Sequence, residues 1–206
     1  MAVSNDKPAY GINLSTINIE YGSAGRKFSI ETSWNNIHID EDIDQNAMAM
    51  KVTFLDATDI YNKIDFDGTE LLNIKFSTLG DREVDAQFRI YQTDIHPDPE
   101  GGSAKGVTLY GVSEEHFLSA VTDINQSYRE DISSFAQIVF DKLNKKYRYG
   151  KKTKKLIRHE TTGRNVTIIP GMTPFESMDF LASRAYDSSY RSSAFKFFET
   201  FDGYHF

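Results

Sequence analysis

The stretch that decides the fold is Met48-Ala49-Met50-Lys51-Val52-Thr53-Phe54, in which large apolar residues alternate with small or polar ones. Successive side chains of a β-strand point to opposite faces, so this period of two predicts a half-buried strand. The same pattern recurs over most of the first hundred residues. Gly11–Glu20 alternates with one slip that is typical of a β-bulge, and Arg26–Ile30 resumes the extended pattern after a turn at Gly22–Gly25.

Further short strands follow, each bounded by turn residues. Ile60–Phe66 and Thr69–Phe76 flank Asp67-Gly68, a dipeptide suited to the positive φ angles of a tight hairpin turn. The pattern also predicts strands at Phe88–Tyr91 and Val107–Tyr110, and it places the carboxylate run of residues 40–44, which follows Ile37–Ile39, in a loop. Many short strands joined by turns favour a β-barrel or sandwich.

The hydrophobic period changes to that of a helix in the last third of the chain. Apolar spacing predicts a helix over Ser133–Tyr147, with Asp131 or Ser133 as its N-cap. Thr173-Pro174-Phe175-Glu176 combines a capping box with proline at the first helical position, and predicts a helix that ends near Tyr186. The side chains that this helix should bury are Phe175, Met178, Leu181, Ala182 and Ala185.

The segments around and after this helix read as strands. Asn165–Ile169 should end at Pro170-Gly171, and Ala194–Phe198 should lead into a turn at Asp202-Gly203. Only Tyr204-His205-Phe206 remain for the returning strand, and a hairpin that stops so early is marginal. We therefore expect the chain to be the N-terminal portion of a longer protein. A natural C-terminus that completes an edge strand is the alternative.

Composition excludes several classes of protein. The chain has 206 residues, of which 39% are apolar and 13% aromatic, and it has no cysteine. The apolar fraction excludes a disordered chain, and the length allows one large domain or two small ones. The lack of cysteine excludes disulfide scaffolds, thiolate zinc sites and cysteine nucleophiles. No apolar run is long enough to cross a bilayer and no secretory signal opens the chain, so we expect no membrane association.

Charge is divided unevenly along the chain, whose net charge is −7. Residues 1–141 contain 10 Lys and Arg against 24 Asp and Glu, and residues 142–206 contain 13 against 6. An acidic first part argues against a grip on a phosphate backbone there. The alternative is that two solvated surfaces simply differ in charge.

The basic segment Lys142–Arg158 is the strongest candidate for nucleic-acid binding. It contains nine Lys and Arg residues with Tyr147 and Tyr149 between them, and such cations and aromatic rings suit a single strand. The competing interpretation is a solvated helix end and loop whose charge meets an acidic neighbour. We favour the second interpretation, because the rest of the chain repels polyanions.

No residue pattern indicates catalysis, a cofactor or a resident metal. The five histidines, His38, His96, His116, His159 and His205, share no metal-binding spacing. His38 followed by the carboxylates of residues 40–44 is the nearest approach to a hard-metal site, but a solvated loop is the default for such a run. We therefore predict no catalytic, cofactor-binding or metal-binding residues, no cofactor and no enzyme activity.

Several segments, in order, resemble the baseplate hub proteins of contractile-tailed bacteriophages. Met50–Ile60 with Phe66–Glu70 looks like the first barrel of that family, and Ser127–Ala136 like its strand-to-helix entry. Thr173–Ala182 followed by Phe195–Glu199 resembles the helix and hairpin of its second domain. The pattern is more distantly similar to the hub part of type VI secretion spike proteins. The lysine-rich segment and the end of the chain at Phe206 depart from the family pattern.

The resemblance implies a mainly β, α+β fold. A tube-like antiparallel β-barrel domain is expected over residues 1–112, and a smaller α+β domain with two helices and an incomplete hairpin over residues 113–206. It also implies a late structural protein of the virion, located in the tail baseplate after assembly in the host cytoplasm. Such hubs are homotrimeric rings that join the tail tube or tape-measure protein to the central spike protein.

Genome passage gives the acidic first half a function in this hypothesis. DNA would pass through the ring without specific binding, and lumenal carboxylates would repel it. Neutral amides in place of Asp40, Glu41, Asp42 and Asp44 should then slow DNA ejection. Two other function classes remain open: an accessory single-stranded nucleic-acid-binding β-barrel that uses Lys142–Arg158, and a carbohydrate-acting or adhesive tail component.

Overall fold

The computed structural model describes residues 13–22, 24–78, 82–97, 104–145 and 154–206. The chain divides into two compact units. The first unit comprises residues 1–38 and 50–111, and the second comprises residues 39–49 and 112–206. The segment 39–49, which the sequence analysis places in the first domain, thus clusters with the second unit.

A curled seven-stranded antiparallel sheet forms a half-barrel, which confirms the predicted class of mainly β, α+β protein. Its strands follow the order β2-β1-β5-β6-β7-β4-β3, so β2 and β3 are the outer strands. The bounds are β1 Asn13–Tyr21, β2 Arg26–Ser29, β3 Trp34–Asp40, β4 Ala49–Asp56, β5 Leu71–Ser77, β6 Glu83–Pro97 and β7 Lys105–Ser113.

Alternation along the strands builds the buried face of this sheet. In β4 the buried residues Met50, Val52 and Phe54 alternate with exposed or half-buried ones, as the sequence predicts. In β1 the pairing with β5 shifts register between Leu14 and Thr16, which confirms the predicted bulge. The buried apolar residues on the other strands include Ile17, Ile19, Leu72, Ile74, Phe88, Ile90, Val107 and Leu109.

The prediction of a strand over Ile60–Phe66 is wrong. A one-turn helix, α1 (Ile60–Lys63), takes its place. The buried carboxylate of Asp56 accepts hydrogen bonds from the backbone N–H groups of Ile60 and Tyr61, both at 2.8 Å. These bonds satisfy amides at the start of the helix and make a turn more favourable than an extended chain.

The second unit contains a two-stranded and a three-stranded sheet together with three helices, among the residues described. The sequence analysis predicts only two of these helices and misses the first. The elements are α2 Glu114–Ala120, β8 Ile124–Glu130, α3 Ile132–Lys145, β9 Leu156–Ile157, β10 Asn165–Met172, α4 Pro174–Ala182, β11 Phe198–Thr200 and β12 Gly203–His205. Within the described ranges, no helix has the length and apolar character needed to cross a membrane.

Helix α4 begins as predicted and ends early. The Thr173 hydroxyl accepts from the Glu176 N–H at 3.3 Å, and the Glu176 carboxylate accepts from the Thr173 N–H at 2.8 Å, which completes the capping box. All five side chains predicted to face the core are buried. The helix stops at Ala182 and not near Tyr186, because the Arg184 and Ala185 amides bond to carbonyls three residues back and tighten the last turn.

Strand predictions in the second unit need two corrections. Strand β10 continues through Pro170-Gly171 to Met172, with a register shift against β8 at that point. Residues 194–197 are irregular, and β11 begins only at Phe198. The hairpin turn at Asp202-Gly203 is confirmed, and β12 gains a second partner because it also pairs in parallel with β9. Glycine is required at 203, where a Cβ atom would lie 2.5 Å from the Lys155 carbonyl oxygen.

Candidate assembly surface

The two outer strands of the seven-stranded sheet offer very different edges. Strand β3 has seven residues, WNNIHID, with no lysine, arginine or proline among them. Its side chains are mostly exposed, and Trp34 keeps 38% of its surface accessible. A long outer strand without cations or proline is the type of edge that pairs readily with another strand.

Strand β2 has the opposite character. It has four residues, and both Arg26 and Lys27 are exposed. The Arg26 guanidinium lies 4.8 Å from the centre of the Tyr21 ring, and Lys27 Nζ lies 3.9 Å from Glu20 Oε2. Short strands with charged side chains disfavour edge-to-edge pairing. The half-barrel therefore has one edge suited to association and one protected against it.

The acidic segment between β3 and β4 makes specific contacts within the second unit. Glu41 Oε1 accepts from the Phe201 N–H at 2.6 Å, and Asp44 pairs with the Lys196 ammonium. Asp42 Oδ1 accepts from the Asp44 N–H at 2.8 Å. These carboxylates hold residues 39–49 against the β11–β12 region. Whether they also face a DNA channel stays a prediction.

A buried cluster of ionisable groups lies in the second unit, and the sequence analysis misses it. Glu115 of α2 is 5% exposed, Glu199 of β11 is 1% exposed and Tyr204 of β12 is fully buried. Glu199 accepts from the Lys154 ammonium through one oxygen and from the Met48 N–H at 2.7 Å through the other. Both Glu199 contacts join segments that are distant in sequence, so no local sequence motif predicts these contacts.

Burial dominates the electrostatics of this cluster. It raises the pKa of the Glu115 carboxyl, and the Lys154 ammonium opposes that rise while Glu199 adds to it. Burial also raises the pKa of Tyr204, whose hydroxyl faces both carboxylates and has no hydrogen-bond partner of good geometry within the described part of the chain. One ammonium thus serves two buried carboxylates, so the cluster favours a proton on Glu115.

The described part of the basic segment makes contacts within its own unit. Lys142 bonds to Gln126 and lies 5.7 Å from the centre of the Tyr128 ring, and Lys154 bonds to Glu199. Arg158 reaches the hydroxyls of Ser133 and Ser134 at 3.4 and 3.5 Å. Residues 146–153, with Tyr147 and Tyr149, lie outside the described residues. Two of the described lysines are thus already engaged, which weakens the case for a phosphate site.

A histidine–carboxylate pair is the nearest approach to catalytic geometry. His159 Nε2 lies 2.7 Å from Asp187 Oδ2, and the hydrogen bond from His159 lowers the pKa of Asp187. Asp187 is buried and its other carboxylate oxygen accepts from the Ser189 N–H at 2.7 Å, so it acts as a structural anchor. No described group of three or more His, Asp or Glu side chains is arranged to hold a metal ion.

Sequence comparisons return nothing for this chain, whereas its fold has relatives. No protein-family model matches the chain, and no curated protein sequence matches it. The 43 kDa tail protein of prophage MuSo2 from Shewanella oneidensis matches 92% of the chain with a TM-score of 0.58 at 14% identity. The chain spans about half of that protein, 52% of its length.

Two further solved structures are more distant. The E. coli c3393 protein is a type VI secretion component described as similar to the T4 tail proteins gp27 and gp5. It matches 96% of this chain over 46% of its own length, with 10% identity and a TM-score of 0.44. A chain of the Francisella PdpA–VgrG complex matches 97% of this chain over 29% of its own length, with 13% identity and a TM-score of 0.45. The predicted resemblance to phage tail proteins is confirmed for the fold.

Proposed function

We propose that this chain is a structural protein of a phage-type contractile tail, acting as a baseplate hub. In this proposal three copies form a ring between the tail tube or tape-measure protein and the central spike protein, and DNA passes through the ring without specific binding. The protein would be part of the virion baseplate, and its contribution would be mechanical, with no catalytic step.

The observation that carries the proposal is the curled half-barrel whose two edges are chemically unlike. Among the described strands the sheet has two outer edges: the β3 edge is long and uncharged except at Asp40, whereas the β2 edge is short and cationic. The match to a tail protein along 92% of the chain supports the same role. A ring of three copies needs a heterologous contact, in which the β3 edge of one copy pairs with a different surface of the next copy. Pairing of β3 with β3 would instead give a two-fold dimer, and a dimer in solution would therefore contradict the ring.

The mass of the particle in solution tests the ring. We expect native mass spectrometry to find a species of three times the chain mass of 23.5 kDa, with a monomer fraction that grows on dilution. Asn36→Lys places a charge on exposed β3, and should weaken association by about tenfold or more, because an edge lysine opposes strand pairing.

A matched substitution on the opposite edge provides the control. Ser29→Lys adds the same charge to exposed β2 and should leave the trimer unchanged. Equal weakening by the two variants would show that association does not depend on the β3 edge. A monomer at all concentrations, also when a cognate spike protein is present, would contradict the hub proposal itself.

A further inference from the structure

We propose that a cavity in the second unit binds an extended segment of a partner protein, through an aromatic side chain followed by an acidic one. This inference goes beyond the hub role, because the hub proposal does not involve this cavity. It would give the protein a second, peptide-binding contact surface.

The cavity has the size and the walls for a bulky side chain. Its volume is about 760 Å³, which is within the range of ligand pockets. Tyr190, Phe195, Phe198 and Phe206 contribute aromatic walls. His159 bridges two of them, with its ring centre 5.7 Å from that of Tyr190 and 6.2 Å from that of Phe195. Aromatic rings favour one another at these distances, so a guest ring gains both apolar burial and edge or face contacts.

The charges around the cavity favour an acidic guest. Lys196 is neutralised by Asp44, and His159 is bonded to Asp187. Arg158 also lines the cavity, but its described contacts are the two long ones to serine hydroxyls, and no described carboxylate pairs with it. A guanidinium at the mouth of an apolar cavity can bind a carboxylate through two parallel hydrogen bonds.

A rigid turn presents Tyr190 at the cavity. Asp187 and Ser192 exchange backbone hydrogen bonds of 2.8 and 3.0 Å, and Asp187 Oδ1 holds the Ser189 N–H at 2.7 Å. Arg191 has a positive φ of 49°, which is strained for a residue with a side chain. Tyr190 is nevertheless 76% exposed. A hydrogen-bonded turn that orders the backbone beside an aromatic side chain before binding lowers the entropic cost of binding.

A peptide fits this chemistry better than a sugar. A saccharide needs several polar groups free to bond its hydroxyls, and here His159, Asp187 and Lys196 are committed to one another or to Asp44. Ser192 and His205 also line the cavity, and each is hydrogen-bonded to a neighbouring residue. What remains is an aromatic surface and one guanidinium. That combination matches an aromatic ring and a carboxylate a few ångströms apart, as adjacent side chains of an extended segment provide.

Titration with three short capped peptides tests the assignment on the intact chain. The probe is Gly-Ser-Phe-Glu-Ser-Gly, and its two analogues replace Glu with Lys and Phe with Ala. We expect ¹⁵N–¹H NMR to show saturable shifts at Tyr190 and the neighbouring residues for the first peptide only. Each analogue should bind at least about tenfold more weakly, since a charge-assisted contact and a buried ring are each worth that much.

Three variants assign the contacts to their residues. Arg158→Gln should weaken binding of the Glu peptide about tenfold and leave an analogue with Gln in place of Glu within about twofold. Tyr190→Ala should weaken binding of both the Glu peptide and the Gln analogue. Arg164→Gln, an exposed arginine that does not line the cavity, is the control and should change nothing.

Other outcomes overturn the proposal. Equal binding of the Glu and Lys peptides would contradict a role for Arg158 in charge recognition. Absence of shifts at millimolar peptide, or shifts produced instead by a saccharide such as N-acetylglucosamine, would show that the cavity does not bind peptides. The result is independent of the trimer measurement, so either proposal can fail alone.

Discussion

The two units bury carboxylates for different purposes. In the first unit, buried Asp56 and Glu70 hold backbone amides that lie two to five residues away, in the turns that start α1 and β5. In the second unit, buried Glu199 bonds to partners 45 and 151 positions away, and Asp187 to one 28 positions away. Local bonds shape a turn, whereas distant ones join segments that would otherwise separate.

The distribution of charge between the two units also indicates that the second unit pairs charges from segments that are distant in sequence. By sequence halves the chain is strongly acidic and then basic, but the first unit holds 9 Lys and Arg against 14 Asp and Glu, and the second holds 14 against 16. The acidic residues 39–49 and the basic C-terminal part belong to one unit, where Asp44 meets Lys196. Opposite charges are therefore concentrated where they can pair.

The largest expected loss of stability comes from removal of a carboxylate that bonds to distant partners. Glu199→Gln should lower the free energy of unfolding by about 3 kcal/mol or more, because it removes the carboxylate that bonds to the mostly buried Lys154 ammonium. Urea denaturation measures the loss, and hydrogen exchange should rise in residues 39–49 and at β9.

Glu70→Gln is the matched change in the first unit. Glu70 is as buried as Glu199, but among the described contacts its carboxylate accepts only from the neighbouring Asp67 and Gly68 amides, and a glutamine oxygen can still accept from them. We expect a loss of about 1 kcal/mol. A loss equal to that of Glu199→Gln would remove the distinction between local and distant carboxylates.

A pH titration sharpens the comparison. Because burial raises the folded-state pKa of Glu115, the folded chain holds this proton more tightly than the unfolded chain. The corresponding stability is fully present below the ordinary glutamate pKa of 4.5 and is lost as the pH rises through the folded-state value. Glu115→Gln cannot ionise, so it should be more stable than the parent at alkaline pH, with a difference that shrinks towards pH 4. A constant difference across the range would contradict a raised pKa for the Glu115 carboxyl.

The smallest effect concerns a local cap within the second unit. Burial opposes ionisation of Asp131, but hydrogen bonds from the Ser133 and Ser134 hydroxyls and the Ser134 amide outweigh it and lower its pKa to about 2. The stability from this cap is present above the ordinary pKa of 3.8 and is lost as the pH falls towards 2.

Asp131→Ala should therefore cost about 1 kcal/mol at pH 7, because solvent partly screens the half-buried carboxylate. The cost should be much less at pH 2, where the carboxyl is largely protonated. Asp141→Ala, on the same helix, provides the control. Asp141 bonds only to the Gln137 side chain among the described contacts, and its removal should change stability by less than about 0.5 kcal/mol. Thermal unfolding at the two pH values measures both variants.

Sequence prediction succeeds mostly for features that depend on near neighbours and fails for contacts between residues that are distant in sequence. The strand alternation in β4, the bulge in β1 and the capping box of α4 are patterns within a few residues, and all three are confirmed. The strand predicted over Ile60–Phe66 fails although its cause is local, because the Asp56 carboxylate that organises α1 precedes the segment whose apolar pattern was read. The cluster of Glu115, Lys154, Glu199 and Tyr204 escapes prediction altogether, as does the Arg158 cavity.

By itself, the sequence determined most of the strands, the buried faces of β4 and α4, and how α4 begins, since these depend on side-chain period and on hydrogen bonds between near neighbours. It did not determine α1, α2 or the irregular residues 194–197. Tertiary structure alone decided that residues 39–49 join the second unit, that β12 pairs with β9 as well as β11, and which carboxylates share one ammonium. Those outcomes depend on burial and on distances between residues far apart in the chain. The sequence around a charged side chain does not identify its partner, because the pair forms only when packing brings the two groups together and removes the water between them.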